Sequence, residues 1–104
     1  MRRLTVIQTT IDDELIVNNL VNGLLEEKLV ACAQVSKIRS SYWWRDKIES
    51  ADEFSILFKL PYENKNRVIQ FIEKNHTYDL PEINIQELRT TERYFEYCHE
   101  VCDI

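Results

Sequence analysis

The side chains best suited to bind a metal ion lie in separate parts of the chain. His76 is followed within six residues by the carboxylates of Asp79 and Glu82. An imidazole near carboxylates suits a divalent ion or acid–base chemistry, although a lone loop histidine is also common as a hydrogen-bonded surface residue. Cys32 stands between two alanines in an apolar run, where a buried structural thiol is an equally natural interpretation.

Two further thiols lie near the end of the chain. Cys98 and Cys102 are four residues apart, with His99 beside them. On a helix this spacing puts both thiols on one face, where they could share a soft metal ion or simply pack as small apolar residues.

Catalysis is a further possible function, with His76 and Glu82 as an acid–base pair. No nucleophile with a positioned base accompanies this pair, so we do not predict an enzyme.

An aromatic segment, residues 39–47, contains three consecutive rings, Tyr42, Trp43 and Trp44, among basic residues. So much apolar surface normally contacts a partner chain, a ligand or a nucleic acid. Single-stranded nucleic acid could stack on the rings. The net charge of −5 argues against that partner, because nucleic-acid binding needs a clustered excess of Lys and Arg. We therefore predict that the rings are buried in a contact between subunits.

Length and composition predict one soluble globular domain, residues 1–104, with 44% apolar and 30% charged residues. A single glycine leaves no glycine-rich loop for phosphates. The odd count of three cysteines suits a reducing compartment, and neither a signal peptide nor a membrane span is recognised. These features predict a cytoplasmic protein. The acidic run from Glu49 to Glu53 is interpreted as a solvated face.

Apolar periodicity predicts the secondary structure in order. A first strand over 4–10 precedes a helix capped by Thr10 or Asp12, in which Gly23 serves close packing. A strand beginning at Leu29 continues into the aromatic segment, and 54–59 completes a long hairpin. Pro61 is expected at the first position of a second helix ending near Asn75. A strand over 83–88 and a short helix capped by Thr90 or Thr91 follow.

This order, β-α-β-β-α-β plus a C-terminal helix, predicts an α+β protein of ferredoxin-like architecture. One antiparallel four-stranded sheet then carries two helices on one face. The other face is expected to be bare, and self-association is the leading candidate to cover it. The same order occurs in RNA-recognition modules, but residues 53–58 lack the basic residue and glycine of their signature.

Several segments in this order resemble the CutA family of divalent-cation tolerance proteins. The resemblance spans nearly the whole chain and is carried by residues 25–33, 40–48, 58–59, 76–83 and 94–97. It implies a ferredoxin-like homotrimer whose long hairpin pairs with neighbouring subunits, a link to copper and other divalent cations, and a likeness to PII signalling proteins. No established catalytic activity comes with it.

Carried onto this chain, the resemblance assigns family positions to Cys32, Tyr42, Trp44, Lys59, His76, Tyr78 and Glu82. Asp46 replaces a turn glycine of the family pattern. Gln8 and Asn75 stand where some relatives have a cysteine and a histidine proposed as metal ligands.

Two functional hypotheses follow. The first is a homotrimer that binds divalent ions, copper above all, through Cys32, His76 and Glu82, because thiolate and imidazole ligands suit copper. The second is a PII-like sensor or scaffold whose intersubunit clefts take a small anionic molecule. That cleft would be lined by Lys59, Tyr78, Arg39 and Lys47, while Tyr42, Trp43 and Trp44 form the trimer interface.

Overall fold

The computed structural model describes all 104 residues, which form four strands and three α-helices. The strands are β1 (Arg2–Ile11), β2 (Cys32–Trp44), β3 (Lys47–Leu60) and β4 (Ile83–Thr90). The helices are α1 (Glu14–Glu26), α2 (Lys65–Asn75) and α3 (Glu92–Val101), and a 3-10 turn at Tyr62–Asn64 precedes α2. No helix has the length and hydrophobicity needed to span a membrane.

The strands form one antiparallel sheet in the order β2-β3-β1-β4, as predicted for the ferredoxin-like arrangement. Directly opposed residues share a face of the sheet. Ile7 lies opposite Phe58, and both are fully buried with the apolar sides of α1 and α2. The main core therefore lies between the two helices and this face of the sheet.

The other face is not bare, which corrects the sequence-based expectation. Helix α3 packs on it over β1 and β3 and buries Leu4, Val6 and Cys98. Thr91 caps α3 by accepting a hydrogen bond from the backbone N–H of Tyr94, as predicted. The part of this face that self-association would need to cover is therefore smaller than the sequence indicated.

Helix α1 begins differently from the prediction and ends at Glu26. Asp13 is its N-cap and accepts from the N–H of Leu15, in place of the predicted Thr10 or Asp12. At the other end Lys28 adopts a φ of 56°. The N–H groups of Lys28 and Leu29 donate to the carbonyls of Leu25 and Leu24, each at 3.0 Å. This is the double hydrogen-bond pattern of a Schellman motif.

The Schellman motif explains why β2 begins at Cys32 and not at the predicted Leu29. Leu29 and Val30 are buried in the turn that leaves the helix, outside the strand. The Leu29 carbonyl accepts a 3.1 Å hydrogen bond from the buried side chain of Asn64, so the turn is held without strand pairing. Pro61 likewise lies before the 3-10 turn and not at the first position of α2.

The hairpin of β2 and β3 is long, as predicted. Its two-residue turn has Arg45 at a φ of 51° and Asp46 at 64°, the signs of a type I′ turn, which usually carries glycine or asparagine. All residues from 41 to 50 are exposed. The one glycine of the chain serves elsewhere: a Cβ at Gly23 would lie 2.5 Å from Cζ of Phe71, which confirms its predicted role in close packing.

Candidate functional site

An aromatic groove lies between the hairpin and the connection from α2 to β4. It has a volume of about 460 Å³, within the range of small-molecule sites. The rings of Tyr42, Trp43, Trp44 and Tyr78 line it. Four carboxylates also line it, those of Asp12, Glu53, Asp79 and Glu82. No Lys or Arg is among the lining residues.

Tyr78 ties the connection to the hairpin. Its hydroxyl donates a 2.6 Å hydrogen bond to Oε2 of Glu53, which is only 8% exposed. Burial, the hydrogen bond to Glu53 and nearby negative charge raise the pKa of Tyr78 well above its usual value of 10.0. The phenol therefore remains a donor at any physiological pH. Glu53 is not part of a solvated face, which corrects the interpretation of the acidic run.

His76, the residue that ends α2, uses both of its ring nitrogens inside the chain. Nδ1 accepts from the N–H of Tyr78 at 3.1 Å, so the proton lies on Nε2, which donates to the carbonyl of Thr10 at 2.8 Å. The ring also meets Tyr78 edge-on, with 4.7 Å between centroids. A metal ion could bind this imidazole only by replacing one of these hydrogen bonds.

Glu82 belongs to a polar row that crosses the sheet. Its Oε2 accepts from Asn84 at 2.6 Å, and Asn84 also donates to Gln8 at 2.7 Å. Gln8 in turn donates to Ser55 at 3.0 Å. Gln8, at a position of a proposed family ligand, is therefore occupied in orienting Asn84. The row holds the Glu82 carboxylate at the groove, where it is exposed.

Cys32 lies in a different region, beneath α3. It is opposite Lys59 in the sheet, and the Lys59 ammonium is 5.8 Å from the ring centroid of Tyr94. Burial and the nearby Cys98 and Cys32 raise the pKa of Tyr94 to about 12. Lys59 is in turn opposite Val6 on β1. Val6 is four residues before Thr10, whose carbonyl His76 contacts. The regions of Cys32 and His76 are therefore separated by about 13 Å along this strand.

The predicted metal ligands therefore do not come together in one chain. His76 and Glu82 approach the end of β1 through Thr10 and Thr9, whereas Cys32 is at the α3 region. No group of three or more His, Cys, Asp or Glu side chains is arranged to hold a metal ion. Cys32, His76 and Glu82 consequently do not fit a single ion within the chain.

The predicted anion-binding residues are also dispersed. Of the four residues predicted to bind an anion, only Tyr78 lines the aromatic groove. Arg39 lines a second groove beside Lys37 and faces Asp52 across the strands. Lys47 is at the exposed hairpin turn, opposite Trp44, and Lys59 is beneath α3. An anion site formed by all four residues is absent from the single chain.

Sequence reasoning missed Asp12 and Glu53 as site residues. Asp12 looked like a helix-capping residue, and Glu53 belonged to an acidic run. The register pairs Glu53 with Ile38 and places it on the face away from the main core. The signal available was its position one residue before the apolar alternation of Phe54, Ile56 and Phe58, which puts its side chain on the opposite face.

The chain matches proteins of one family. The sequence model described as CutA1 divalent ion tolerance protein matches residues 5–101. The divalent-cation tolerance protein CutA of Pyrococcus horikoshii is 33% identical over 78 residues, 75% of this chain and 76% of that protein. Its counterpart of the same name in Thermotoga maritima is 37% identical over 60 residues, 58% of this chain and 59% of that protein.

Solved structures share the fold. The periplasmic divalent cation tolerance protein CutA from Archaeoglobus fulgidus superimposes with a TM-score of 0.90 at 28% identity, covering 95% of this chain and 98% of its own. The PII-like protein CutA from Nostoc sp. PCC 7120 gives 0.88 at 24% identity, covering 94% and 96%. The second likeness concerns the fold alone.

Proposed function

Because this chain belongs to the CutA1 divalent ion tolerance family, we propose that it acts in tolerance of divalent metal ions as a homotrimer that binds copper. The match over residues 5–101, which runs from β1 to the end of α3, supports the role in divalent ion tolerance. The proposal includes no catalytic step. A cytoplasmic location goes with it, because all three cysteines are free and reducing compartments keep thiols free.

The hairpin supports the proposed assembly. Its distal residues are exposed in the single chain, and Trp43 is 72% exposed, which is costly for a large ring without a partner. We expect a native mass spectrum, recorded on protein purified without chelators, to give three subunits. Trp43→Ala should shift the assembly toward monomer, whereas Tyr62→Ala, at another exposed ring, should not. A parent protein that is monomeric at micromolar concentration would refute the trimer.

We propose that copper is coordinated between subunits, with Cys32, His76 and Glu82 as the candidate ligands, because these residues do not fit one ion within a chain. Titration calorimetry with Cu(II) and Zn(II) tests the assignment. Cys32→Ser, His76→Ala and Glu82→Gln should each weaken Cu(II) binding, and His99→Ala serves as the matched histidine control. If Cys32→Ser and His76→Ala bind like the parent, the ligand assignment is wrong, and Cys98 and Cys102 become the pair to substitute next.

A PII-like sensor is the second candidate function, and the aromatic groove favours it because a formed cavity of about 460 Å³ suits a small molecule. A thermal-shift screen of metabolites against metal salts separates the two functions, since a ligand stabilises the state that binds it. Stabilisation by metabolites alone supports the sensor, and stabilisation by metal salts alone supports ion binding.

A further inference from the structure

Two thiols lie on the buried side of helix α3, which packs over β1 and β3. Cys98 is fully buried, and Cys102 at the C-cap of the helix is 6% exposed. A spacing of four residues places the two side chains one turn apart on one face, with about 5–6 Å between their Cβ atoms. Both thiols are free, and this separation lets one ion lie between their sulfur atoms.

An ammonium without an anionic partner lies in the same region. Lys59 of β3 is partly buried, and it belongs to none of the three ion pairs of the chain. Its Nζ lies 5.8 Å from the ring centroid of Tyr94, one helical turn before Cys98. A ring face offsets an ammonium charge only in part, so a nearby anion would stabilise Lys59 further.

The thiols of α3 do not supply this anion in the free protein. Burial raises the pKa of Cys98, and the nearby ammonium of Lys59 opposes this rise. Burial also raises the pKa of Cys102 to about 11, against the charge of Lys28. Both thiols are therefore neutral at pH 7. A ligand that displaces their protons would give Lys59 its counter-charge.

The number and kind of donor atoms indicate which ligand fits. Thiolates select soft ions such as Cu(I) and Zn(II). Zn(II) in a structural site takes four protein ligands, whereas no group of three or more His, Cys, Asp or Glu side chains is arranged here to hold a metal ion. Cu(I) is satisfied by two thiolates. The complex carries one net negative charge, which matches the single ammonium of Lys59.

We propose that Cys98 and Cys102 bind one Cu(I) ion as a two-coordinate bis-thiolate whose negative charge is balanced by Lys59. Each thiol gives up its proton and each sulfur donates an electron pair to the ion, so one Cu(I) enters, two protons leave and no oxidation state changes. Lys59 acts through its charge and is not a ligand. The site goes beyond the proposed function, because it uses neither the candidate Cu(II) ligands nor a neighbouring subunit.

The probe is Cu(I) itself, transferred without oxygen from the coloured chelator bicinchoninate to the full chain. The protein should withdraw one Cu(I) per chain from the chelator, and a native mass spectrum should show one copper per chain. Two protons per ion should be released at pH 7, and excess Zn(II) should not displace the ion. These readouts use the parent protein, so they do not depend on the folding of a variant.

Substitutions in α3 locate the ion. Cys98→Ala and Cys102→Ala should each weaken Cu(I) binding by at least about 100-fold, because loss of a residue that merely surrounds a metal site already costs about 10–100-fold. Val101→Ala, at a partly buried position of the same helix, removes apolar surface without removing a thiol. It should leave the affinity unchanged.

A second pair of variants tests the role of Lys59. Lys59→Met should weaken Cu(I) binding about fivefold, since it removes a positive charge close to the complex. Lys74→Met makes the same change in net charge at an exposed position near the end of α2 and should leave the affinity unchanged. Equal effects of the two substitutions would contradict the assigned charge balance.

Three further outcomes would overturn the proposal. These are no transfer of Cu(I) from bicinchoninate, release of fewer than two protons per ion, and equal affinities of the parent, Cys98→Ala and Cys102→Ala. Binding that is lost in Cys32→Ser but kept in both α3 variants would place Cu(I) at the candidate Cu(II) ligands and would also refute this site. A protein that holds Cu(I) in α3 but binds no Cu(II) removes the proposed intersubunit site alone, and the reverse result removes this inference alone.

Discussion

The Tyr78 hydroxyl and the Glu53 carboxylate, 25 residues apart in sequence, are joined by a 2.6 Å hydrogen bond. The bond fixes the connection after α2 against the hairpin and so shapes the aromatic groove. Tyr78→Phe removes the donor and leaves the buried carboxylate unsatisfied, which should lower the free energy of unfolding by about 1–3 kcal/mol. Urea unfolding measures the loss, and Tyr62→Phe, at an exposed tyrosine, is the matched control.

The same pair allows a direct measurement of coupling. Residues that share a hydrogen bond typically show interaction energies of about 0.5–3 kcal/mol in a double-mutant cycle. The cycle combines Tyr78→Phe, which removes the donor, with Glu53→Ala, which removes the acceptor. Additive effects of the two substitutions would mean that the hydrogen bond does not connect the two segments energetically.

The sequence predicted the strand and helix order and the long hairpin because these depend on local alternation and periodicity. It placed the start of the second strand three residues early, since the apolar Leu29 and Val30 fit a strand as well as a buried turn. The left-handed residue that follows the C-cap of helix α1 is Lys28, so the usual glycine signal for a helix end was missing. Local pattern alone does not reveal such a turn.

The candidate site was less predictable for a different reason. His76, Glu82 and Cys32 have metal-binding chemistry, but their distances are set by the sheet order and register, which the sequence pattern does not specify to within a residue. Glu53 was interpreted as solvated because its neighbours are polar. It is buried and hydrogen-bonded to Tyr78, 25 residues later, and such a long-range contact has no local signature.

Lys28→Gly should stabilise the protein. Lys28 has a φ of 56°, a left-handed conformation that costs a side chain about 1–2 kcal/mol and glycine almost nothing. Glycine in the unfolded chain offsets part of the gain, so we expect an increase of about 0.5–1 kcal/mol in urea unfolding. The substitution also removes the exposed pairing of Lys28 with Asp103, which contributes little.

The control for this prediction is Lys28→Ala, which removes the same pairing but keeps a Cβ. It should not stabilise the protein. Equal free energies of unfolding for the glycine and alanine variants would contradict the assigned conformation of residue 28.

Gly23→Ala should destabilise the protein although alanine favours helix. A new Cβ would lie 2.5 Å from Cζ of Phe71, so the contact between α1 and α2 must shift. Overpacking of this kind costs about 1–3 kcal/mol, against about 1 kcal/mol gained in helix propensity. We expect a net loss of about 1 kcal/mol by thermal and urea unfolding. Gly23→Ala combined with Phe71→Leu should recover stability, and a stabilised single variant would contradict the close packing.

The three thiols should differ in reactivity. Cys98 on α3 and Cys102 at the C-cap of this helix are buried, and burial raises the pKa of both, that of Cys102 to about 11. Because the thiolate is the reactive form, an aromatic disulfide reagent at pH 8 should label both slowly in the native protein. Cys32 is only partly buried and should react first, so Cys32→Ser should abolish the fast phase. All three should react at once in guanidinium chloride.

Stability should decline in alkaline solution. The pKa of Cys102 is raised from 9.0 to about 11 and that of Tyr94 from 10.0 to about 12, in both cases chiefly by burial. Above pH 9 the unfolded chain therefore binds fewer protons than the folded one at these groups, and by linkage the free energy of unfolding falls as pH rises. The contribution of Cys102 and Tyr94 to the free energy of unfolding is complete below pH 9 and is lost progressively toward pH 12.

Urea unfolding between pH 8 and pH 12 measures this decline in stability. Tyr94→Phe should make the decline shallower above pH 10. An unchanged slope in that variant would show that Tyr94 titrates alike in both states.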